Sequence, residues 1–371
     1  MTSKMTVTPW EVTGTIDYDK LIKEFGVKPI DETLHKRLVQ LTGEDHHLLR
    51  RKLFFAHTNL DKVLDALEQG EPVWLYTGRA PSGPVHLGHI VSWQFALWLQ
   101  QRLGLTLLFQ VPDEEKFLFK DGITFEQAQT WTQDNLKDII AIGFDQKRTK
   151  ILVDTKHADL MYKTAVEVAK RTTASQAKAL FGLQMEDNVG KYFYSCMQSV
   201  PAFLPTELEG KPTIALIPCA IDQDVHFRLT RDVAPKLGYP KPSTILCRFL
   251  PALSSDGKMS SSGEQVIAMS DDEKTVRKKI MKYAFSGGKD TVEEHRKHGG
   301  DPDVDVAYQW LTFFEPDDAK LKRIRDEYKA GRILSGEMKQ LLVDTIVPIL
   351  QEHQRRKNAL SVADVERFLI R

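Results

Sequence analysis

The chain has 371 residues, 42% of them hydrophobic and 27% charged, the balance of a globular protein with core enough for two or three domains. Its 51 Lys and Arg cancel its 51 Asp and Glu, which excludes a uniformly basic protein but leaves room for a local basic face. The opening "MTSKMTVTPWEV" lacks the apolar run of a signal peptide, and stretches such as "TIALIPCAI" are about half the length a membrane span needs, so a cytoplasmic protein with no membrane partner is expected. Cys196, Cys219 and Cys247 stand far apart in apolar company, without CxxC or metal spacing, and read as buried reduced thiols.

Residues 1–70 carry short mixed elements, including "TIDYDKLIKEFG" and the basic "HHLLRRKLFFAH". After "EQGEP" an alternation begins: "VWLYTG" reads as a buried strand, residues 89–103 as a helix apolar on most faces, and "LTLLFQV" as a second strand. An amphipathic helix capped by Thr124 follows, then the strand-like "KILVDT", a helical stretch over residues 158–203, the buried strand "TIALIPCAID" and the helix "QDVHFRLTRDVAPKLG". The run "TILCRFLPAL", residues 244–253, reads as a strand and leads into "SSDGKMSSS". Beyond that point strand signals stop, and "SDDEKTVRKKIMKYAF" opens a helical region, with Ser270 and Glu273 at capping-box spacing. Lys274, Arg277, Lys278, Lys279 and Lys282 cluster in that helix, as either a solvated face or a phosphate-contacting one. The succession implies an α/β fold, a parallel sheet with right-handed crossovers followed by helices.

A parallel sheet holds its ligand at the carboxyl ends of its strands. The turn after the first strand, "YTGRAPSGPVHLGH", lacks GxGxxG, and no Walker loop is present, since Met259 follows Gly257-Lys258 and Ala252 stands where the first glycine belongs. That turn ends in His86-Leu87-Gly88-His89 at a helix start, where free N–H groups and the macrodipole attract anions. Two histidines three apart, read as sharing a helical face, can both donate to phosphate oxygens, and Gly88 lets a flat base approach. The bland readings are a pair packed as caps or half of a zinc site, and no further Cys/His cluster lies nearby in the sequence. The serine-rich stretch reads either as a polar loop or as a mobile arm that brings the Lys258 ammonium to a departing pyrophosphate. "DPDVDV" is not an EF-hand, because Val306 and Thr312 occupy the positions that need Gly and Glu.

HxGH and KMSxS in this order on one parallel-sheet domain resemble the paired signatures of class I aminoacyl-tRNA synthetases. The likeness spans nearly the whole chain: "LYTGRAPSGPVHLGH", "QVPDEEKFLFKD", "LIPCAIDQDVHFRLTRDVAPKLGYPKP", "AFSGGKDTVEEHRKHGGDPDVDVAYQWLTFF" and "PILQEHQRRK" look like consecutive blocks of the tryptophanyl-tRNA synthetase family in its eukaryotic cytosolic form. "VTPWEV" and "HHLLRRKLFFAHTNLDKVLDALE" match that family's N-terminal extension. The resemblance implies an N-terminal extension over residues 1–70 packing on a Rossmann-like nucleotide-binding catalytic domain, residues 71–264, and an all-helical anticodon-binding domain, residues 265–371. It implies ATP-dependent ligation of L-tryptophan to tRNA(Trp) through a tryptophanyl-adenylate, releasing AMP and pyrophosphate, by a cytoplasmic homodimer.

Its site residues carry over position by position. Tyr76 and Gln110 would share the task of accepting the indole N–H, with Gly78 beside them, and Glu115, Gln198 and Gln223 would hold the amino acid's ammonium. Lys116 would meet the carboxylate or α-phosphate, and Arg79 the phosphates or pocket rim. Asp222 would bind the ribose hydroxyls of ATP, with Ala220 where many class I relatives have glycine. His86, Gly88, His89, Lys258, Met259, Ser260 and Ser261 would surround the phosphates. Mg²⁺ is expected to enter with ATP and leave with the pyrophosphate, and no protein side chain is expected to ligate it. The nearest rival, tyrosyl-tRNA synthetase, usually has a basic pair after its GxDQ-like motif, where Asp224-Val225 stands here. A small-molecule adenylyltransferase would lack the KMSSS loop and the long helical region. A non-catalytic binding or signalling protein on a synthetase scaffold would not need His86, His89 and Lys258 intact.

Overall fold

The computed structural model describes residues 17–254 and 265–371, with the backbone alone of residues 6–7 and 12–13. Lys258, Met259, Ser260 and Ser261 lie outside the described residues. Thr6–Val7 (β1) and Val12–Thr13 (β2) pair antiparallel with each other. One seven-stranded sheet collects Lys28–Pro29 (β3), Phe54–Thr58 (β4), Val73–Gly78 (β5), Thr106–Val111 (β6), Thr149–Val153 (β7), Ile214–Ala220 (β8) and Ser243–Cys247 (β9). Their order is β3-β4-β9-β8-β5-β6-β7.

The five strands from β5 to β9 are parallel to their sheet neighbours among themselves. Their side chains are nearly all buried on both faces, which is why they read as continuous apolar runs rather than as alternation. From β5 the chain steps outward to β6 and β7, then returns to β8 on the other side of β5. The crevice between the carboxyl ends of β5 and β8 is therefore the topological switch point.

The extension does more than pack on this sheet. Tyr18–Phe25 (α1), Glu32–Thr42 (α2), His47–Arg50 (α3) and Leu60–Glu68 (α4) alternate with β3 and β4, and β4 pairs antiparallel with β9. Residues before position 70 thus supply two strands of the central sheet, which makes it mixed rather than wholly parallel.

Leu87–Leu103 (α5) is apolar all round because it lies inside the molecule, with Ile90, Trp93, Phe95 and Leu99 almost fully buried. Glu115–Phe119 (α6) and Phe125–Ala141 (α7) join β6 to β7, and Thr124 caps α7 in a full capping box with Gln127, as expected. The stretch expected to be helical over 158–203 is divided into Ala158–Lys170 (α8), Ala174–Phe181 (α9) and Val189–Met197 (α10). Side-chain caps at Thr173 and Asn188 and a left-handed Gly182 set the breaks. Leu204–Glu209 (α11) precedes β8 and Asp224–Leu237 (α12) follows it.

The strand expected over residues 244–253 ends at Cys247. Beyond it Arg248, Phe249 and Leu250 leave the ladder to wall the cleft described below. From residue 265 the described elements are helices: Glu273–Tyr283 (α13), Val292–His298 (α14), Val306–Phe314 (α15), Asp318–Lys329 (α16), Ser335–Asn358 (α17) and Val362–Phe368 (α18). The cap of α13 is Asp272, not Ser270, because the Asp272 carboxylate reaches the Thr275 N–H at 2.8 Å. In "DPDVDV", Asp305 caps α15 and accepts from Gly287 N and the Tyr328 hydroxyl, so the segment is structural. Of the five basic residues in α13, Lys279 turns inward to Asp271 and the Val266 carbonyl, both at 2.6 Å, and the other four are exposed.

The helical region shares one continuous apolar core with the sheet and the extension, reaching from Leu34 to Leu369. Polar contacts lock the long α17 onto α7. His353 Nε2 lies 2.9 Å from Asp138, and Lys357 donates to Asp138 at 2.9 Å and to Asp134 at 2.8 Å.

Candidate active site

A cleft of about 510 Å³ opens at the carboxyl ends of β5, β6, β8 and β9. Every expected site residue that the structure describes lines it: Tyr76, Gly78 and Arg79 from the end of β5; His86, Gly88 and His89 from the start of α5; Gln110, Glu115 and Lys116 after β6; Gln198 after α10; and Ala220, Asp222 and Gln223 after β8. Lys258, Met259, Ser260 and Ser261 cannot be located, being outside the described residues.

The floor at one end is polar and dry. Tyr76 and Gln110 are about 2% and 1% exposed, and the Tyr76 hydroxyl donates to Gln110 Oε1 at 2.6 Å. The Gln110 amide nitrogen donates to Asp154 Oδ2 at 2.8 Å and to Gln198 Oε1 at 3.2 Å. The Tyr194 hydroxyl stands 3.0 Å from Gln198 Oε1 and 3.1 Å from Glu115 Oε2. Burial pushes the phenols of Tyr76 and Tyr194 well up, so both keep their protons.

Four acidic side chains meet here in different states. Burial pushes the Asp154 carboxyl well above the usual range, and the neighbouring Glu114 adds to the shift. Glu114 is itself raised to about 7, by burial first. Burial also acts to raise Glu115, but the touching Lys116 ammonium, with help from His226 and Tyr194, more than offsets it, and the net shift is downward. Asp113 is buried beside them and accepts from Thr155 N at 3.0 Å. Glu115 is thus held toward its anionic form, while Asp154 favours its neutral form.

At the phosphate-sized end, His86 is the N-cap of α5 rather than a residue of its first turn, with φ −128° and ψ 166°. The two histidines therefore do not project from one helical face as expected. They form a reciprocal cap: Gly88 N donates to the His86 ring and His86 N to the His89 ring, each at 3.2 Å, with ring centroids 3.6 Å apart. The Arg79 guanidinium lies against both ring nitrogens of His89, 2.5 Å from Nε2.

Arg79, 6% exposed, lies against His89 with Nη1 2.8 Å from Nδ1, and donates to Asn135, Gly83 O and Pro84 O. Burial lowers its guanidinium to about 10, still cationic at neutral pH. Gly78 is tightly packed: a Cβ there would sit 3.0 Å from the Gln110 carbonyl oxygen, the group that accepts from Arg79 N. The residues following the undescribed segment pair with this end, as Leu87 N donates to Ile267 O at 3.2 Å and Met269 N to Val85 O at 2.8 Å.

Sequence reasoning missed Asp154, Tyr194, His226 and Arg248. Tyr194 sits in an aromatic-rich helix that looks like core, and Arg248 within an expected strand. All three cysteines are free and buried, and burial raises each thiol, so none is an activated nucleophile.

Comparison with known proteins shows what the chain is similar to. The family model described as "tRNA synthetases class I (W and Y)" matches residues 68–351. The chain is 47% identical over 360 residues to a tryptophan–tRNA ligase of Saccharolobus solfataricus, covering 96% of this chain and 93% of that protein. It is 46% identical over 383 residues to the cytoplasmic tryptophan–tRNA ligase of Saccharomyces cerevisiae, covering 98% and 88%. The crystal structure of Plasmodium falciparum tryptophanyl-tRNA synthetase superposes with a TM-score of 0.91 at 39% identity, over 96% of this chain and 98% of that one.

Proposed function

Because the chain belongs to the class I tRNA synthetases of the W and Y family, which use ATP as a substrate, we propose that it ligates L-tryptophan to tRNA(Trp) through a tryptophanyl-adenylate. The observation that carries the choice of amino acid is the buried acceptor at the floor of the cleft. Indole has one polar group, an N–H that only donates, and Gln110 Oε1 and the Tyr76 oxygen offer lone pairs where water is excluded. Phenylalanine would leave that acceptor unpaired, which discriminates far more strongly than fit alone.

The ammonium of tryptophan pairs with the Glu115 carboxylate, with Gln198 and Gln223 nearby, and Lys116 faces the carboxylate or α-phosphate. The tryptophan carboxylate attacks the α-phosphorus of ATP and pyrophosphate departs with Mg²⁺. That ion belongs to the nucleotide substrate, held by phosphates and water. No protein base is needed, since the nucleophile is already ionised, and catalysis is positioning plus stabilisation of charge on the leaving group. Asp222 holds the ribose beside Ala220. His86, Gly88, His89 and Arg79 line the phosphate end, and Lys258 with Met259, Ser260 and Ser261 approaches from the other motif. The pairing of residues 267–269 with 85–87 supports that meeting, because it ties the flank of the lysine segment to the histidine turn.

In the second step the aminoacyl group passes to the 2′-hydroxyl of the terminal adenosine of tRNA, while residues 265–371 hold the anticodon, with Lys274, Arg277, Lys278 and Lys282 as candidate phosphate contacts. We propose a cytoplasmic homodimer. Its support is an apolar patch on α8 and α10, where Tyr162 is 62% and Val189 85% exposed and the rings of Tyr162 and Phe193 lie 6.4 Å apart. One tRNA would span both subunits.

ATP–pyrophosphate exchange run with tryptophan and with tyrosine tests the reading: exchange with tryptophan supports it, and exchange with tyrosine alone overturns it. Lys258→Ala should lower the exchange rate by roughly 10² to 10³, the cost of a lost transition-state donor. Full exchange in that variant would remove the lysine from the mechanism.

A further inference from the structure

Asp154 does not line the cleft and no expectation covered it, yet it stands directly behind the residue that reads the amino acid. The sheet explains how. Tyr76 on β5 and Gln110 on β6 belong to the same sheet face as Trp74, Leu108 and Leu152. Leu152 is the register partner of Gln110, and Asp154 comes two residues later, just past β7, with its N–H on Val111 O at 3.2 Å. Tyr76, Gln110 and Asp154 thus form a polar row across the carboxyl ends of three neighbouring strands, beside the apolar Trp74, Leu108 and Leu152.

The geometry points to Asp154 as the positioning residue that fixes which end of the Gln110 amide meets the amino acid, and so as a determinant of selectivity for the indole N–H. This rests on the proposed reading of the cleft as a tryptophan site. A glutamine amide is chemically two-faced: turned over, Gln110 would present donor hydrogens toward Tyr76 and the cleft, and an indole N–H would meet another donor. Of the amide's partners, Tyr76 can donate or accept through its hydroxyl, and Gln198 can itself turn over. Asp154 is an acceptor alone when ionised, and its Oδ2 takes the amide hydrogen at 2.8 Å. The carboxyl retains this accepting role when protonated, because the proton can ride on Oδ1, which has no hydrogen-bond partner among the described residues. At 1% exposure, no water competes for Oδ2.

The test compares tryptophan with β-(benzothiophen-3-yl)alanine, its isostere in which sulfur replaces the indole N–H, by kcat/KM in pyrophosphate exchange. The wild-type protein should prefer tryptophan by roughly 10- to 100-fold, and its exchange with tryptophan is the control that tests the function reading itself. Asp154→Leu keeps the branched shape of the side chain and removes the acceptor. It should shrink that preference to within about threefold, chiefly by raising the KM for tryptophan, while the isostere is little changed. Asp154→Asn, which can still offer a carbonyl oxygen, should keep most of the preference. A merely structural role would lower both amino acids together and leave their ratio at the wild-type value, and that result overturns the inference. Should Asp154→Leu not fold, Asp154→Ala read by the same ratio decides in its place.

Discussion

Two buried polar networks in this molecule have opposite designs. At the floor of the cleft, Tyr76, Gln110, Asp154, Gln198, Tyr194 and Glu115 are chained by hydrogen bonds, yet the chain stops at atoms that face open space. Between α7 and α17, Asp138, His353 and Lys357 close on one another, with side chains of Asp138 and His353 about 3% and 4% exposed. The first keeps hydrogen-bonding capacity in reserve for a ligand. The second joins the helical region to the sheet. Burial alone therefore does not mark a functional polar group; what matters is whether its partners are complete without a ligand.

Breaking each network should separate stability from chemistry. The largest effect belongs to the closed one: Asp138→Ala leaves His353 and Lys357 without their shared acceptor and should cost about 3–5 kcal/mol in chemical denaturation. At 25 °C the protein that remains folded should keep kcat/KM for exchange within about tenfold. A loss confined to activity would show that this contact serves the site instead.

Next comes the open network. Gln110→Leu should lower kcat/KM for tryptophan by about 100-fold, because the acceptor is gone and Tyr76 and Asp154 lose their partner. Circular dichroism should still report a folded protein. Equal use of tryptophan by wild type and variant would sink the acceptor as the basis of recognition.

A smaller effect concerns a third group, complete in itself but titratable. His46 caps α3, accepting from Leu48 N at 3.2 Å, and its ring packs on Phe95 and Trp98 of α5. Burial, then the nearby His47, Arg50 and Arg51, lower it from 6.5 to about 3. At pH 7 the ring is neutral when folded and mostly neutral when unfolded, so its contribution to the pH slope there is small. As pH falls from about 6.5 toward 3 the unfolded chain takes a proton that the folded one refuses, and stability is lost. With allowance for the ring's partial exposure, His46→Asn, which keeps a capping oxygen, should recover about 1–2 kcal/mol near pH 4. An acid slope identical to wild type would show that this ring titrates normally.

What the sequence made legible follows from the range of the interactions. The strands from Val73 to Val153, and the crevice beside His86, announce themselves through local apolar runs and turn residues, and those expectations hold. The reciprocal cap of His86 and His89 was weighed only as the bland alternative, because spacing says where two rings sit along a helix and not where the helix begins. Asp154 was invisible because an Asp after "KILV" is an ordinary strand ending. Its meaning comes from pairing β7 beside β6, a contact between residues 44 apart in the chain. The extension was expected to hold short strands, but the pairing of Phe54–Thr58 within the central sheet was not legible for the same reason, its partner lying nearly two hundred residues downstream.

That strand has a practical consequence. Phe54 to Thr58 covers the outer ladder of β9, from Cys247 to Thr244. A version trimmed to begin near position 71 would present β9 as a bare edge of unpaired N–H and C=O groups beside exposed apolar side chains, the arrangement that seeds sheet-to-sheet aggregation. Minimal catalytic fragments of this protein should accordingly retain Phe54–Thr58, and not be cut at the boundary where the nucleotide-binding pattern first becomes visible.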